Sequence, residues 1–178
     1  MRESPFNTAR FAALVGMIAA AAAFRILPHP PNFTPIAAMA LFGGAQFADR
    51  RTAFAVPLAA MLLSDLALGF HALMPVIYGA FALIVCIGIW LRPRRSPAMI
   101  AAATLASSVL FFAITNFAVW VSGTLYPKTI AGLAQCYVAA IPFFGNTVLG
   151  DAIFSAALFG GLALAEWRVP RLREACAT

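Results

Sequence analysis

The chain has 178 residues, of which 63% are hydrophobic and only 10% charged, and its formal charge is +6. Soluble domains carry about 25% charged residues, so most of this exterior faces an apolar phase, the lipid bilayer. That excludes a soluble enzyme, a disordered chain and a nucleic-acid-binding domain. The basic residues stand in short clusters at the ends of apolar runs, as cytoplasmic loops of membrane proteins do, and no nucleic-acid partner is expected.

A helix needs about 20 apolar residues to cross the hydrocarbon. The first run, 11–27, carries Arg25 near its end. Arg2 and Arg10 before it and the small residues Ala21 to Ala23 also suit a signal peptide. The alanines lead straight into Phe24-Arg25-Ile26-Leu27, an unsuitable mature start, so the run is read as a retained helix. The second, 33–48, is short; Thr34 serves as its N-cap and Pro35 as its first helical residue. The third, 52–70, has one carboxylate, Asp65, while 72–91 and 98–121 carry no charge. From Thr129 to Ala165 only Asp151 is charged, and Pro142 and Gly145-Asn146 divide that stretch into 129–144 and a last helix over 146–167.

Basic residues set the parity. With crossings at 11–27, 33–48, 52–70, 72–91, 98–121 and 146–167, one side receives Arg2, Arg10, Arg50, Arg51, Arg92, Arg94, Arg95, Arg168, Arg171 and Arg173. The other receives Lys128, with Arg25 just inside the first helix. This is a strong positive-inside bias. A seventh crossing over 129–144 would move three arginines across, so that segment is read as re-entrant or surface-lying. The expected architecture is all-α: one integral membrane domain over 1–178, a six-helix bundle with both termini cytoplasmic.

Ionisable groups inside membrane helices are costly and usually functional. On this topology Arg25, Asp65, Tyr78, Asn116, Trp120, Asn146 and Asp151 all fall in the outer half, with His29, Asn32 and His71 in the outer loops. The inner half is read as nearly devoid of polar groups. Clustering at one depth describes a pocket open to the outside, not a channel, whose polar groups would be spread over several depths. Each residue also has a plainer reading. Arg25 pairs with Asp65 or Asp151; Asp151 suits the dipole at the start of the last helix; His29 is a loop residue among prolines. Tyr78 and Trp120 are interfacial aromatics, Asn116 bonds a neighbouring helix, and Cys86 is a small buried hydrophobe.

Helix 1 carries Gly16, Ala19, Ala20 and Ala23, a small-xxx-small pattern that lets another helix approach closely. Packing inside the bundle and docking to a partner membrane protein both use such a face. Cys86, Cys136 and Cys176 form no disulfide framework, CxxC pair or zinc spacing, and no cofactor is expected.

The segments Arg25-Ile26-Leu27-Pro28-His29-Pro30-Pro31-Asn32-Phe33-Thr34-Pro35-Ile36, Ala40-Leu41-Phe42-Gly43-Gly44, Ser64-Asp65 and Pro142-Phe143-Phe144-Gly145-Asn146-Thr147, followed by Gly150-Asp151, resemble an uncharacterised bacterial family of small transport membrane proteins. In size, helix number and layout the chain is similar to the S components of energy-coupling-factor transporters, six-helix binders of vitamins and micronutrients in the bacterial inner membrane. That resemblance implies a substrate site near the outer face under the loops 28–32, around His71 and 122–145. It also implies that Gly16, Ala19, Ala20 and Ala23 dock on a transmembrane coupling subunit driven by ATPases, with transport by toppling of the whole subunit. The chain itself has no GxxxxGK[ST] signature.

The expected function is capture of a small nutrient. Arg25 would pair an anionic group of the ligand, and Asp65 and Asp151 would accept its donors. His29, Asn32, His71, Tyr78, Asn116 and Asn146 would orient it, and Trp120 or Tyr126 would stack on it. A corrinoid such as cobalamin is one candidate, with His29, His71 or Cys86 as cobalt ligand. The alternatives are a membrane-embedded enzyme acting on a lipid or envelope precursor, with Asp65, Asp151 and His29 as acid and base, and a structural protein of a membrane assembly. No HExxH, GxSxG or paired-carboxylate motif supports the enzyme.

Overall fold

The computed structural model describes residues 7–173; Arg2 and Cys176 lie outside the described residues. These residues are all-helical, with no strand among them: α1 (Thr8–Phe24), α2 (Ile36–Gln46), α3 (Arg50–Leu68), α4 (Met74–Leu91), α5 (Pro97–Ser122), α6 (Ile130–Ser155) and α7 (Gly161–Arg168). A π-helical turn, Ala156–Gly160, joins α6 to α7 without a break. Four stretches are long and apolar enough to cross a membrane: Arg50–Leu68, Met74–Arg94, Pro97–Ser122 and Ile130–Arg168.

Four helices begin on a side chain that accepts an otherwise unpaired N–H of the first turn. Asn7 takes Arg10 N, Asp49 takes Thr52 N at 2.7 Å, Ser96 takes Met99 N and Thr129 takes Gly132 N. Asp49 also accepts the Thr52 hydroxyl at 2.8 Å, and these bonds hold its carboxyl below the usual carboxylate range. α2 has no cap of its own.

α2 is the centre of the molecule. Every residue from Ala37 to Gln46 is buried, and the helix packs against α1, α3, α4, α5 and α6. Its closest neighbour is α4. A Cβ on Gly88 would collide with Leu41 O and stand 2.8 Å from Gly44 Cα, and one on Gly44 would collide with Val85 O. The two backbones therefore touch, which only glycine at both positions permits. Phe42, Phe81, Leu14, Ile18, Met39 and Leu41 fill the space around this contact.

α2 is shorter than its expected extent of 33–48. Pro35, not Thr34, occupies the N-cap position and no side chain of its own segment caps it. Eleven residues rise about 16 Å, half the hydrocarbon thickness. A helix enclosed by protein has no lipid thickness to match, so the short length is tolerated.

The segment 129–144 is neither re-entrant nor surface-lying, and no separate helix starts at Asn146. Ile130–Arg168 is one rod of 39 residues, about 58 Å long. Pro142, Gly145 and Asn146 all lie inside it. Proline removes one hydrogen bond, but in apolar surroundings ending the helix would strand several backbone groups at greater cost. The breakers are overridden.

The inner half is not empty of polar groups either. At the end of the bundle opposite Asp65, Arg10 is buried and pairs with Glu166, donates to Leu172 O at 2.6 Å and reaches Gln46 Oε1 at 3.0 Å. Arg95 donates to the same Gln46 oxygen at 2.8 Å. Arg92 donates from Nε to Gly44 O and from Nη1 to Ala48 O, both at 2.8 Å, placing a cation at the C-terminus of α2, where the helix dipole favours it. Arg10, Arg92 and Arg95, counted only as loop charges in the parity argument, share one end as that argument requires.

Candidate functional site

A cavity of about 320 Å³ opens at the other end of α2. Its walls come from α3 (Met61, Asp65), α4 (Met74, Ile77), α5 (Phe111, Thr115, Asn116, Val119) and α6 (Thr147, Asp151). Ile36 and Ala37, the first turn of α2, close it below, Arg25 borders it, and Asn32, Thr34 and His71 stand at its mouth. The α5 residues fall at spacings of four, five and eight, one face of a helix. Met61 and Asp65, and Thr147 and Asp151, are pairs four residues apart on their own helices, so each wall is one helical face.

Arg25 lies immediately after α1, which ends at Phe24, and acts as its C-cap. Its guanidinium donates to Asp65 Oδ1 at 2.7 Å, to Ser64 Oγ and to Met61 O at 3.3 Å. The other Asp65 oxygen accepts the Tyr78 hydroxyl at 2.8 Å. The Arg25 side chain is 10% exposed and that of Asp65 7%. This is a buried ion pair in which both carboxylate oxygens are occupied; the pairing with Asp65 holds, and the pairing with Asp151 does not occur.

Asp151 does not start a helix. It sits late in α6, 1% exposed, and its carboxyl accepts Ser108 Oγ at 2.6 Å and faces the backbone N–H groups of Ala37 and Ala38. It thus supplies from another helix the cap that α2 lacks, at the positive end of the α2 dipole. With Arg92 at the opposite terminus, both ends of α2 are met by a polar side chain from another part of the chain. Gly150 allows this approach: a Cβ there would stand 3.2 Å from Thr34 N.

Of the expected site residues, the structure brings Arg25, Asn32, Asp65, His71, Asn116 and Asp151 to this cavity. Tyr78 acts one step back through Asp65. His29 stacks on Phe24 with ring centroids 6.0 Å apart and does not line the cavity. Trp120 donates from Nε1 to Pro127 O at 2.9 Å and lies beneath the Lys128 ammonium, bracing the α5–α6 turn; Tyr126 in the same turn does not line the cavity either. Asn146 donates to Pro31 O at 3.0 Å, tying the first loop to α6. Cys86 is exposed on α4, so it is neither the small buried hydrophobe nor a ligand beside His29. Among the described residues no three His, Cys, Asp or Glu side chains are grouped to hold a metal ion. His29 is likewise not assembled with Asp65 and Asp151 into an acid–base set.

Ser64, Ser108, Thr115 and Thr147 were not among the expected site residues. Hydroxyls are common in membrane helices and carry no depth penalty that would single them out. Their signal is spacing: each lies one or four residues from a carboxyl or amide residue already identified, except Ser108.

The small residues of α1 have one fate. Gly16, Ala19, Ala20 and Ala23 are all exposed, and a Cβ on Gly16 would meet no atom within 4 Å. They are not used for packing inside the bundle. Ala19 and Ala23 border an apolar groove of about 370 Å³ between α1 and α3, with Val56, Ala59 and Leu63 on its far side.

No curated protein and no solved structure matches the chain. A family profile does, over residues 6–172, and the chain belongs to that family of unknown function, DUF6580.

Proposed function

We propose that this chain is the substrate-capture membrane subunit of an uptake system for a small vitamin-like nutrient, built like the S components of energy-coupling-factor transporters in the bacterial inner membrane. One observation carries the reading: a cavity of about 320 Å³ at one end of the bundle, walled by four long helices and closed below by the N-terminus of α2. That volume is at the low end for small-molecule sites, which suits a small nutrient and is cramped for a corrin ring. The arginine distribution orients this end outward, with both termini cytoplasmic. The exposed small face of α1 and the α1–α3 groove offer a transmembrane coupling subunit a surface that no helix among the described residues covers.

The test is binding by the full chain in lipid nanodiscs against a panel of water-soluble vitamins, read by thermal shift and calorimetry. One vitamin is expected to bind, and Asn116→Leu, which fills the cavity with an apolar side chain, is expected to abolish binding without lowering the melting temperature of the free protein. No binding across the panel, or binding unchanged by Asn116→Leu, would overturn the reading. For docking, Ala19→Trp with Ala23→Trp is expected to stop uptake in cells while leaving ligand binding by the purified chain intact.

A further inference from the structure

The bonding state of the cavity wall says what kind of ligand it accepts, on the reading above that the cavity is a binding site. Its ionisable groups are Arg25, Asp65, Asp151 and, at the mouth, His71. The first three are already engaged with the protein. Arg25 is neutralised by Asp65 and held by Ser64 and Met61 O; Asp65 has Arg25 on one oxygen and Tyr78 on the other; Asp151 holds Ser108 and two backbone N–H groups. An anion entering the cavity would have to displace Asp65 from a guanidinium that is nine-tenths buried, and it would approach a wall bearing two carboxyl groups against that one cation.

Most of the remaining polar groups on the α5 and α6 walls turn acceptors inward, while Asn32 and His71 at the mouth carry donors as well. Thr115 Oγ1 spends its proton on Phe111 O at 2.7 Å, and Thr147 Oγ1 spends its proton on Phe143 O at 3.2 Å. A hydroxyl has one proton and two lone pairs, so each turns only lone pairs toward the cavity. Asn116 donates from Nδ2 to Phe112 O at 2.8 Å, an orientation fixed because its carbonyl oxygen facing another carbonyl would repel it. That leaves Oδ1 as an acceptor, with the second Nδ2 proton as a donor beside it. Three oxygens from two facing helices thus seek hydrogen-bond donors.

We infer that the cavity takes a non-anionic molecule presenting N–H groups, an amine, amidine or amino-substituted heterocycle, held by Thr115 Oγ1, Asn116 Oδ1 and Thr147 Oγ1 as acceptors. Arg25 is then a structural partner of Asp65 and not the ligand's counter-ion, the reverse of the role that its charge alone suggests.

Matched probes test this on the full chain in nanodiscs: benzamidine and benzamide against benzoate, and tryptamine against indole-3-acetate, each titrated by thermal shift and calorimetry. Benzamidine and tryptamine are expected to bind and the two carboxylates not to. Thr115→Val combined with Thr147→Val, which keeps shape but removes the acceptors, is expected to weaken the amines at least about tenfold while the melting temperature of the free protein stays in place. Carboxylates binding as tightly as the amines would overturn this inference and leave the cavity standing as a binding site. Amines binding equally well to the double variant would overturn it too. If neither series bound, the cavity itself would fail as a site, and the inference with it.

Discussion

Replacing Asp151 by alanine removes the side chain that caps α2 among the described residues. Asp151, Ala37 and Ala38 are 1%, 3% and 1% exposed, so water reaches the freed N–H groups only through the cavity that Asp151 and Ala37 border. Two backbone N–H groups are left without acceptors, at about 1–3 kcal/mol each, giving about 2–6 kcal/mol in total. That is a large share of the 5–15 kcal/mol typical of a folded domain. Ser108 is spared, because its one hydroxyl proton can turn to Thr104 O, 3.1 Å away. Asp151→Asn keeps one carbonyl oxygen and should cost about half as much. Ser108→Ala leaves both N–H bonds intact and should cost about 1 kcal/mol. Equilibrium unfolding in mixed micelles, followed by far-UV circular dichroism, ranks the three. An Asp151→Ala protein within about 0.5 kcal/mol of the parent, or a Ser108→Ala protein that is worse, would refute the idea that α6 caps α2.

Breaking the Arg25–Asp65 pair from one side, as Arg25→Met or Asp65→Leu, should cost about 3–5 kcal/mol, and the double variant should recover most of it; additivity in that double-mutant cycle would show that the pair is not coupled. Gly88→Ala should force α2 and α4 apart and cost about 1–3 kcal/mol of overpacking, whereas Gly16→Ala on the exposed face of α1 should be neutral or slightly stabilising, both read as shifts in the unfolding midpoint. Because the Asp49 carboxyl titrates below its ordinary value, its contribution is complete above the unfolded value of about 3.9 and is lost as pH falls through the lower folded value. Asp49→Ala should therefore narrow the gap between its stability and the parent's on going below about pH 4, and a constant gap across that range would contradict the capping role.

Much of this fold was legible because lipid imposes a simple rule on length and charge. α5 lies within one residue of the charge-free run 98–121 at each end, and α1, α3 and α4 lie within three residues of their expected bounds. The shared depth of Arg25, Asp65, Asn116 and Asp151 was also readable, since parity and position along a helix fix height. What the sequence concealed was partnership. Asp151 lies in α6 but its bonds are to α2, and nothing within 30 residues of it records that. Pro142 and Gly145 carry real breaking propensity, which the apolar setting outweighs. Arg10 and Arg92 read as loop cations because their acceptors, Glu166, Gln46 and Gly44 O, come from elsewhere in the chain.

The shortness of α2 also bears on how the protein is made. A segment that rises only about 16 Å does not meet the length requirement for entering a bilayer as an independent span, and it ends on Gln46, whose hydrogen-bond donors lie on α1 and just after α4. During synthesis α2 therefore has no settled place until α3 and α4 have emerged. The residues at the heart of the finished molecule are thus expected to be among the last to come to rest.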